Sequence, residues 1–265
     1  MAKKIPYGLT DYFRIVTEDF YYVDKTKYIE DLEKTAAFLF LIRPRRFGKS
    51  LFLNMLNCYY DVKYADRFEE LFGNQYIGKH PTAEQGKYLV LRFNFSMVRA
   101  TDDKLEAAFN RHISLETAYF ASVYASYFKP DFQEQLKLIP EAAGRLEYIC
   151  LCAKEQGLSI YLLIDEYDNF TNTILSSKGN DVYHSLTHDS GFYRSFFYVV
   201  KGVTTGAEAP VKRMFITGVS PVTLDDVTSG FNIGTNITTD ERFNSMVGFS
   251  ESELHEMLSY YQSEG

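Results

Sequence analysis

Phe38–Ser50 reads FLFLIRPRRFGKS, an apolar run followed by a basic loop and by Gly-Lys-Ser. An uninterrupted apolar run of this length predicts a strand that is buried on both faces. The segment after it, Lys49–Tyr60, places Leu51, Met55 and Tyr59 at the spacing of one helical face. Strand, loop and helix in this order are typical of an α/β fold.

Three further apolar runs have the length of buried strands, and helical patterns separate them. The runs are Tyr88–Phe95, Ile160–Ile164 and Met214–Thr217. We expect helices over Thr101–Phe128, Phe132–Glu155, Phe192–Val203 and Glu251–Tyr261, and a mobile loop over residues 171–190, which are rich in Ser, Thr, Asn and Asp. Short strands that alternate with helices predict a mostly parallel sheet, whose ligands bind beyond the carboxyl ends of the strands.

Composition excludes several classes of protein. The 265 residues carry 28 Lys and Arg against 35 Asp and Glu, and this net charge of −7 argues against a protein that coats nucleic acid or an anionic membrane. The longest apolar run, Ala36–Ile42, is far shorter than the roughly 20 residues that cross a bilayer. The first residues lack a secretory signal, and three cysteines do not make a disulfide framework. We therefore expect a cytoplasmic protein without a membrane segment.

The basic loop ends like a phosphate-binding loop, whose pattern G-x-x-x-x-G-K-[ST] lies between a strand and a helix. A helix N-terminus carries about half a positive charge, so cations are unfavourable there unless an anion binds. Here Lys49 opens the helix, and Arg45 and Arg46 stand just before it. A polyphosphate would satisfy this arrangement, with Lys49 at the β- and γ-phosphates and the Ser50 hydroxyl on Mg²⁺.

Arg43 stands where the phosphate-loop pattern has its first glycine, so this loop must turn differently, with Pro44 fixing its own φ angle. The alternative is a solvated basic turn that binds nothing. We predict that the nucleotide contacts the whole segment, which comprises Arg43, Pro44, Arg45, Arg46, Phe47, Gly48, Lys49, Ser50 and Leu51.

Acidic residues end the third apolar run, YLLIDEYD over Tyr161–Asp168. Asp165 would hold Mg²⁺ through the water shell of the ion, and Glu166 would act as the general base on the attacking water. Asp168 lies close in sequence but receives no role. The alternative is an ordinary strand that ends in acids at the surface.

The fourth run, FITGVS over Phe215–Ser220, places Thr217 and Ser220 at the same edge of the predicted sheet. A hydroxyl there could sense the γ-phosphate or the attacking water, and we assign Thr217 to the catalytic group. A plain Thr-Gly strand terminator explains the same residues equally well.

Several long stretches resemble the bacterial AAA-ATPase-like family, which is allied to the archaeal-type and signal-transducing P-loop ATPases. They are IPYG near the start, YYVDKT (Tyr21–Thr26), Phe38–Leu56, YLLIDEYD, FITGVSPV, GFNIGTNIT (Gly230–Thr238) and GFSESEL (Gly248–Leu254). The arginine at position 43 is itself typical of that family. The resemblance implies an α/β P-loop NTPase three-layer core with a mostly parallel sheet, a helical insert and the start of a C-terminal lid.

The resemblance also implies ligands and neighbours. ATP and Mg²⁺ would bind, and Tyr22, Asp24 and Lys25 would lie near the base or ribose. Family members commonly continue into a C-terminal domain that resembles PD-(D/E)xK nucleases. The triplet Asp102-Asp103-Lys104 has the residues of such a site but no preceding strand, so we find no nuclease site in this sequence.

Other candidate sites have plainer explanations. His184 and His188 have the spacing of a helical zinc pair but lack the glutamate that follows the first histidine in metalloproteases. Cys150 and Cys152 do not face each other on a helix and are interpreted as core thiols. Arg99, Arg111 and Arg242 could each be an arginine finger in a homo-oligomer; Arg242 is our first choice, against the simpler case of a solvated arginine.

We predict an ATPase core over residues 1–246, with residues 1–35 packed near the nucleotide, and the beginning of a helical lid over residues 247–265 of a longer protein. The first hypothesis is an ATP-hydrolysing switch, slow in isolation, that controls a C-terminal nuclease-like effector; ATP and ADP would be its ligands, and nucleic acid would bind only through the effector. The second is an ATP-binding scaffold that does not hydrolyse. The third, a small-molecule kinase, lacks an acceptor-binding motif.

Overall fold

The computed structural model describes residues 2–98, 104–188, 191–220 and 234–264. The chain forms two compact units. The sheet unit comprises Ala37–Ile42 and Tyr88–Thr235, and the loop unit comprises Met1–Ala36, Arg43–Lys87 and Asn236–Gly265. Among the residues that the structure describes, no helix combines the length and the apolar character needed to cross a bilayer.

The helices in chain order are α1 (Tyr12–Thr17), α2 (Tyr28–Thr35), α3 (Lys49–Tyr60), α4 (Phe68–Phe72), α5 (Tyr76–Lys79), α6 (Leu105–Val123), α7 (Phe132–Lys137), α8 (Ala142–Glu155), α9 (Asn169–Lys178), α10 (Asn180–Thr187), α11 (Phe192–Thr204) and α12 (Glu251–Glu264). The strands are β1 (Phe38–Ile42), β2 (Leu89–Asn94), β3 (Ile160–Asp165), β4 (Val211–Gly218) and β5 (Thr235–Asn236). All four predicted strands are confirmed, and so are the helices α3, α11 and α12.

The sheet has the strand order β2-β3-β4-β1-β5, and the β2–β3, β3–β4 and β1–β4 pairs are parallel. This confirms the predicted α/β class with a mostly parallel sheet. β4 lies between β1 and β3 although it follows both in the chain. In the parallel register Ile42 faces Gly218, and Asn94 faces Asp165. The carboxyl ends of β1 to β4 therefore lie along one edge of the sheet.

Two helix predictions in the sheet unit are wrong. The single helix predicted over Phe132–Glu155 is divided into α7 and α8, with Pro140 between them. Proline has no N–H to donate and its ring clashes with the carbonyl one turn earlier, so a continuous helix cannot pass through it. Helix α6 ends at Val123 and a 3-10 turn follows, so the predicted end at Phe128 is five residues too long.

The predicted mobile loop over residues 171–190 is also wrong, because α9 and α10 occupy most of it on either side of Gly179. Its Ser and Thr residues suggested a loop, yet Ser177 satisfies its hydroxyl by donating to the Thr173 carbonyl one helical turn earlier (2.7 Å). Buried apolar side chains at Ile174 and Tyr183 provide the packing that favours helix over loop.

Aromatic residues form much of both cores. In the loop unit Tyr12 stacks on Phe72 (ring centroids 5.2 Å apart), and Tyr59 meets Phe72 edge-on at 5.4 Å. In the sheet unit Phe95 contacts both Phe109 and Phe196 edge-on. Such ring pairs add stabilisation beyond the burial of apolar area.

Candidate functional site

The basic loop begins directly after β1, since Ile42 and Arg43 are consecutive, and it ends at the N-terminus of α3. Gly48 is the N-cap of that helix and has φ 84°, a left-handed conformation that glycine adopts without a steric penalty. Arg46 has φ 68°, which is uncommon and strained for a residue with a side chain. No acidic residue lies in the first turn of α3.

Lys49 organises this loop from inside. Its ammonium donates to the carbonyl oxygens of Arg43 and Pro44, each at 2.9 Å, and the residue is 5% exposed. These two bonds draw the start of the loop toward the start of the helix. The phosphate-loop pattern has a glycine at position 43, which would let the chain turn there. In this loop the two Lys49 hydrogen bonds stabilise the turn instead.

The side chains of the basic loop differ in their exposure and in their hydrogen bonds to the rest of the chain. Arg43 donates to the Thr238 carbonyl (2.5 Å), so its guanidinium ties the loop to a later segment of the same unit. Arg45 and Arg46 are exposed and form no ion pair with the described residues. Phe47 is 44% exposed, and its ring lies beside Gly248, where an added Cβ would be 3.2 Å from it. Two guanidinium groups are thus available to an anion.

The residues predicted near the base or ribose have partners within the loop unit. Asp24 accepts from the backbone N–H groups of Thr26 (2.8 Å) and Tyr76 (2.6 Å). Tyr22 packs edge-on against Tyr12, with ring centroids 5.3 Å apart. These contacts hold the N-terminal segment in place, and a role beside the nucleotide stays a prediction.

Lys25 forms an ion pair with Glu253 at the start of α12 and also donates to the Ser245 carbonyl (2.7 Å). Glu253 accepts the N–H of Ser250 as well (2.7 Å), and Ser250 Oγ accepts the N–H of Glu253 (3.3 Å), the reciprocal pair of a capping box at the start of α12. Burial acts to raise the pKa of Glu253, but the hydrogen bonds from Lys25 and Ser250 outweigh it and bring that pKa below the usual range.

In the sheet unit, the end of β3 places Asp165 beside the end of β4. Thr217 donates its hydroxyl to Asp165 Oδ1 at 2.6 Å, and both residues are buried, at 0% and 2% exposure. The structure therefore brings these two predicted site residues together. The sequence assigned them separate roles, because the adjacency of β3 and β4 is not visible in their order along the chain.

Glu166 follows Asp165 directly and has φ 52°, the second strained residue among the predicted site residues. It is partly exposed, whereas its neighbours Asp165 and Tyr167 are buried. A partly exposed carboxylate next to a buried one can meet water without leaving the end of the strand.

Asp168 received no role from the sequence, yet it is 1% exposed and accepts hydrogen bonds from the backbone N–H groups of Val219 (3.1 Å) and Ser220 (2.6 Å). Its partners lie about 50 residues away in the chain, so only the strand order could have revealed them. The signal in the sequence is limited to its position three residues after Asp165.

The donors suit the ligands that the sequence predicts. Carboxylate and hydroxyl oxygens, such as those of Asp165 and Ser50, are the ligands that Mg²⁺ prefers, and this ion takes few of them from a protein. Within the described ranges no group of three His, Cys, Asp or Glu side chains could hold a metal ion. The exposed Arg45 and Arg46 and the helix N-terminus at Lys49 suit a polyphosphate.

The remaining candidates have ordinary surroundings. His184 lies in α10 and its Nδ1 is 3.1 Å from Nδ1 of His188, without a third ligand nearby in the described residues. Burial raises the pKa of the Cys150 thiol to about 12, which confirms a core thiol. Arg242 pairs with Asp240 (2.6 Å). Arg99 and the residues Asp102 and Asp103 lie outside the described ranges.

Comparison with known proteins gives a family. Residues 6–228 match the AAA-ATPase-like family, described as predicted AAA-ATPase. An uncharacterized protein in the vnfD 5′ region of Azotobacter chroococcum mcd 1 is 26% identical over 260 residues, a match that covers 95% of this chain and 44% of that protein. The chain thus spans less than half the length of this relative. No solved structure matches the chain. Because the family match extends over most of the sequence, the chain belongs to the predicted AAA-ATPase family.

Proposed function

We propose that this protein binds ATP and hydrolyses it with the help of Mg²⁺. Membership in a family of predicted ATPases supports nucleotide binding in general. The observation that carries the proposal is the basic loop, where Lys49 is held inside the turn and Arg45 and Arg46 are exposed at a helix N-terminus. Such a concentration of positive charge is unfavourable by itself and is stabilised by a bound polyphosphate.

In this proposal the loop binds and orients the phosphate chain. The N–H groups at the start of α3 and the Lys49 ammonium hold the β- and γ-phosphates, and Arg45 and Arg46 offset their negative charge. Ser50 and, through the water shell of the ion, Asp165 would hold Mg²⁺, which would supply neutralisation of charge on the phosphate oxygens. Thr217 keeps the Asp165 carboxylate in position through the hydrogen bond at 2.6 Å.

Glu166 is the proposed general base. It accepts a proton from the water that attacks the γ-phosphorus in line with the bond to the leaving ADP oxygen. Phosphate and ADP are the products. Thr217 is the proposed sensor of the γ-phosphate, acting through its bond to Asp165. We propose that Tyr22, Asp24 and Lys25 lie near the base or ribose of the nucleotide. Phe47 and Leu51 would be apolar neighbours of the nucleotide.

We propose further that hydrolysis acts as a switch for an effector. The relative in Azotobacter chroococcum mcd 1 extends well beyond the matched length, which leaves room for the nuclease-like domain that the family resemblance implies. Residues 247–265 would connect the core to it, a homo-oligomer would supply an arginine finger such as Arg242, and nucleic acid would be bound by the effector alone. A location in the cytoplasm stays a prediction from the sequence.

The scaffold alternative is favoured by one observation. Asp165 and Lys49 both have intramolecular hydrogen-bond partners, so their conformations are stable without nucleotide. The partly exposed Glu166 favours hydrolysis, because a scaffold needs no base at this position. The kinase alternative has no such supporting feature.

Two substitutions test the proposal on the purified chain. Lys49→Ala should abolish ATP binding measured by calorimetry, because it removes the ammonium that organises the loop from inside and that we propose holds the phosphates. Lys79→Ala, an exposed lysine of the same unit, is the control. Glu166→Gln should keep ATP binding and lose phosphate release, and Glu147→Gln on the exposed face of α8 is its control.

The outcomes separate the three functions. Normal ATP binding by Lys49→Ala would show that the basic loop is not the phosphate site. Equally slow phosphate release by the wild-type chain and Glu166→Gln would favour the scaffold. Phosphate release that depends on an added small-molecule acceptor would favour the kinase.

A further inference from the structure

Asp168 carries a buried carboxylate whose hydrogen-bond donors, within the part of the chain that the structure describes, are uncharged. Oδ2 accepts from the N–H of Ser220 (2.6 Å) and from Nδ2 of Asn172 (2.9 Å). Both oxygens lie 3.1 Å from the N–H of Val219. Because two backbone N–H groups after β4 converge on this one buried side chain, it attaches the chain after β3 firmly to the chain after β4.

Tyr167 adds a second attachment between the same two segments. Its hydroxyl donates to the Ser220 carbonyl (2.6 Å), and its backbone N–H donates to the carbonyl of Thr217 (3.1 Å). The Tyr167 carbonyl in turn accepts the hydroxyl of Tyr193 from α11. The peptide after Glu166 is therefore held from two sides.

Gly218 shows how closely these segments approach. A Cβ at this position would lie 2.2 Å from a ring carbon of Tyr167 and 2.8 Å from Oδ1 of Asp168. Contacts this short do not occur between real atoms, so the close packing of the two strand ends requires a glycine here.

Glu166 lies between two anchored neighbours. Asp165 on one side bonds to Thr217, and Tyr167 and Asp168 on the other side bond to residues 217–220. Glu166 itself has φ 52°, a conformation that persists only when the surrounding structure imposes it. The anchors on β4 supply that constraint.

We propose that Asp168, with Tyr167, is a positioning residue that sets the backbone of Glu166 for hydrolysis by attaching it to the end of β4. This inference rests on the proposed function. The backbone geometry of Glu166 then depends on residues 217–220. A change at the end of β4 would be transmitted to Glu166 through Tyr167 and Asp168. In this proposal Asp168 acts through the backbone of Glu166 and is assigned no contact of its own with the nucleotide.

The test uses three variants of the full chain. Asp168→Asn keeps the size of the side chain but turns an amide toward the N–H donors of residues 219 and 220. Tyr167→Phe removes only the hydroxyl bonded to Ser220 and keeps the fold even where Asp168→Asn does not. Asp181→Asn, an exposed carboxylate at the start of α10, is the matched control.

The readouts are kcat for phosphate release, Kd for ATP by calorimetry, and amide hydrogen exchange at residues 219 and 220. We expect kcat to fall by about 10- to 100-fold in Asp168→Asn and by a smaller factor in Tyr167→Phe. Kd for ATP should stay near the wild-type value, because the basic loop is untouched. Exchange at residues 219 and 220 should become faster, and Asp181→Asn should resemble the wild type in every measurement.

Two results would overturn the inference while leaving the proposed function intact. The first is wild-type kcat in both variants despite faster exchange, which would make the contacts merely structural. The second is a loss confined to ATP affinity. A wild-type chain that releases no phosphate would instead overturn the proposed function, and with it the inference, before any variant is measured.

Discussion

The basic loop and the paired ends of β3 and β4 use polar residues in opposite ways. In the loop, Arg45 and Arg46 are exposed and form no ion pair with the described residues. At the strand ends, Asp165 and Asp168 are buried and accept hydrogen bonds from the neighbouring strand. One region keeps its charges available to a ligand, and the other uses them to hold its own backbone.

Substitutions in the two regions should therefore have different effects on stability and on ligand binding. Charges exposed to water contribute little to folding stability, so changing them should affect ligand binding alone. Buried carboxylates leave their donors unsatisfied when they are changed, so both stability and activity should fall. The predictions below test this contrast, beginning with the largest expected effect.

Thr217→Val should have the largest effect. It removes the hydroxyl that donates to Asp165, which we propose as a Mg²⁺-holding residue. Loss of a partner that orients a metal ligand typically lowers metal affinity or activity by about 10- to 100-fold. The free energy of unfolding should also fall by about 1 to 3 kcal/mol, because a buried acceptor loses its donor. Phosphate release as a function of Mg²⁺ concentration and urea denaturation measure the two effects.

The matched control for this prediction is Thr204→Val, since that hydroxyl is also buried but bonds to carbonyls of its own helix. It should leave phosphate release unchanged. Full activity of Thr217→Val would remove the distinction between the strand ends and the loop.

Glu253→Gln tests a half-buried charge, with a side chain 18% exposed, that belongs to the loop unit but not to the basic loop. It removes the charge paired with Lys25, whose side chain is 8% exposed, and should lower the free energy of unfolding by about 2 kcal/mol. Folding lowers the pKa of Glu253 below its ordinary 4.5, so the pair stabilises the fold above that pH. This contribution is lost as the pH falls through the lower folded pKa.

Thermal unfolding between about pH 3 and pH 7 measures the pH-dependent stabilisation by the Lys25–Glu253 pair, because this interval includes the pH range in which Glu253 titrates. The variant should show a weaker dependence on pH than the wild type. Glu251→Gln on the same helix, where the side chain is 91% exposed, should retain the wild-type dependence. An identical response of both variants would contradict the prediction.

Arg46→Gly should have the smallest effect. We expect it to raise the free energy of unfolding relative to Arg45→Gly, the same substitution at the neighbouring position. The left-handed conformation at φ 68° costs a residue with a side chain about 1 kcal/mol, and glycine removes that cost. Arg45→Gly loses the same charge without any such relief. Urea denaturation should therefore place Arg46→Gly about 1 kcal/mol above Arg45→Gly in stability, while ATP binding weakens in both.

Equal stabilities of these two glycine variants would mean that the loop stores no strain at Arg46. Unchanged ATP affinity in both would mean that the exposed arginines do not face the nucleotide. Either result would weaken the view of the loop as a prepared anion site.

Local patterns were sufficient for a large part of the fold. The apolar run before the loop, the helix from Lys49 to Tyr60 and the cap of α12 by Ser250 and Glu253 each depend on residues a few positions apart. The errors arose where local composition and packing disagree. Pro140 interrupts a helical pattern, and buried residues such as Tyr183 make helices of a segment whose polar composition suggested a loop.

Contiguous residues were enough to predict the α/β class, the position of the basic loop between a strand and a helix, and the acidic residues after the third strand. The place of β4 between β1 and β3 is visible in the three-dimensional fold alone. That order pairs Thr217 with Asp165 and gives Asp168 its partners at residues 219 and 220. Hydrogen bonds between residues some 50 positions apart depend on which strands are neighbours in the sheet, and the spacing of residues along the sequence does not indicate strand order.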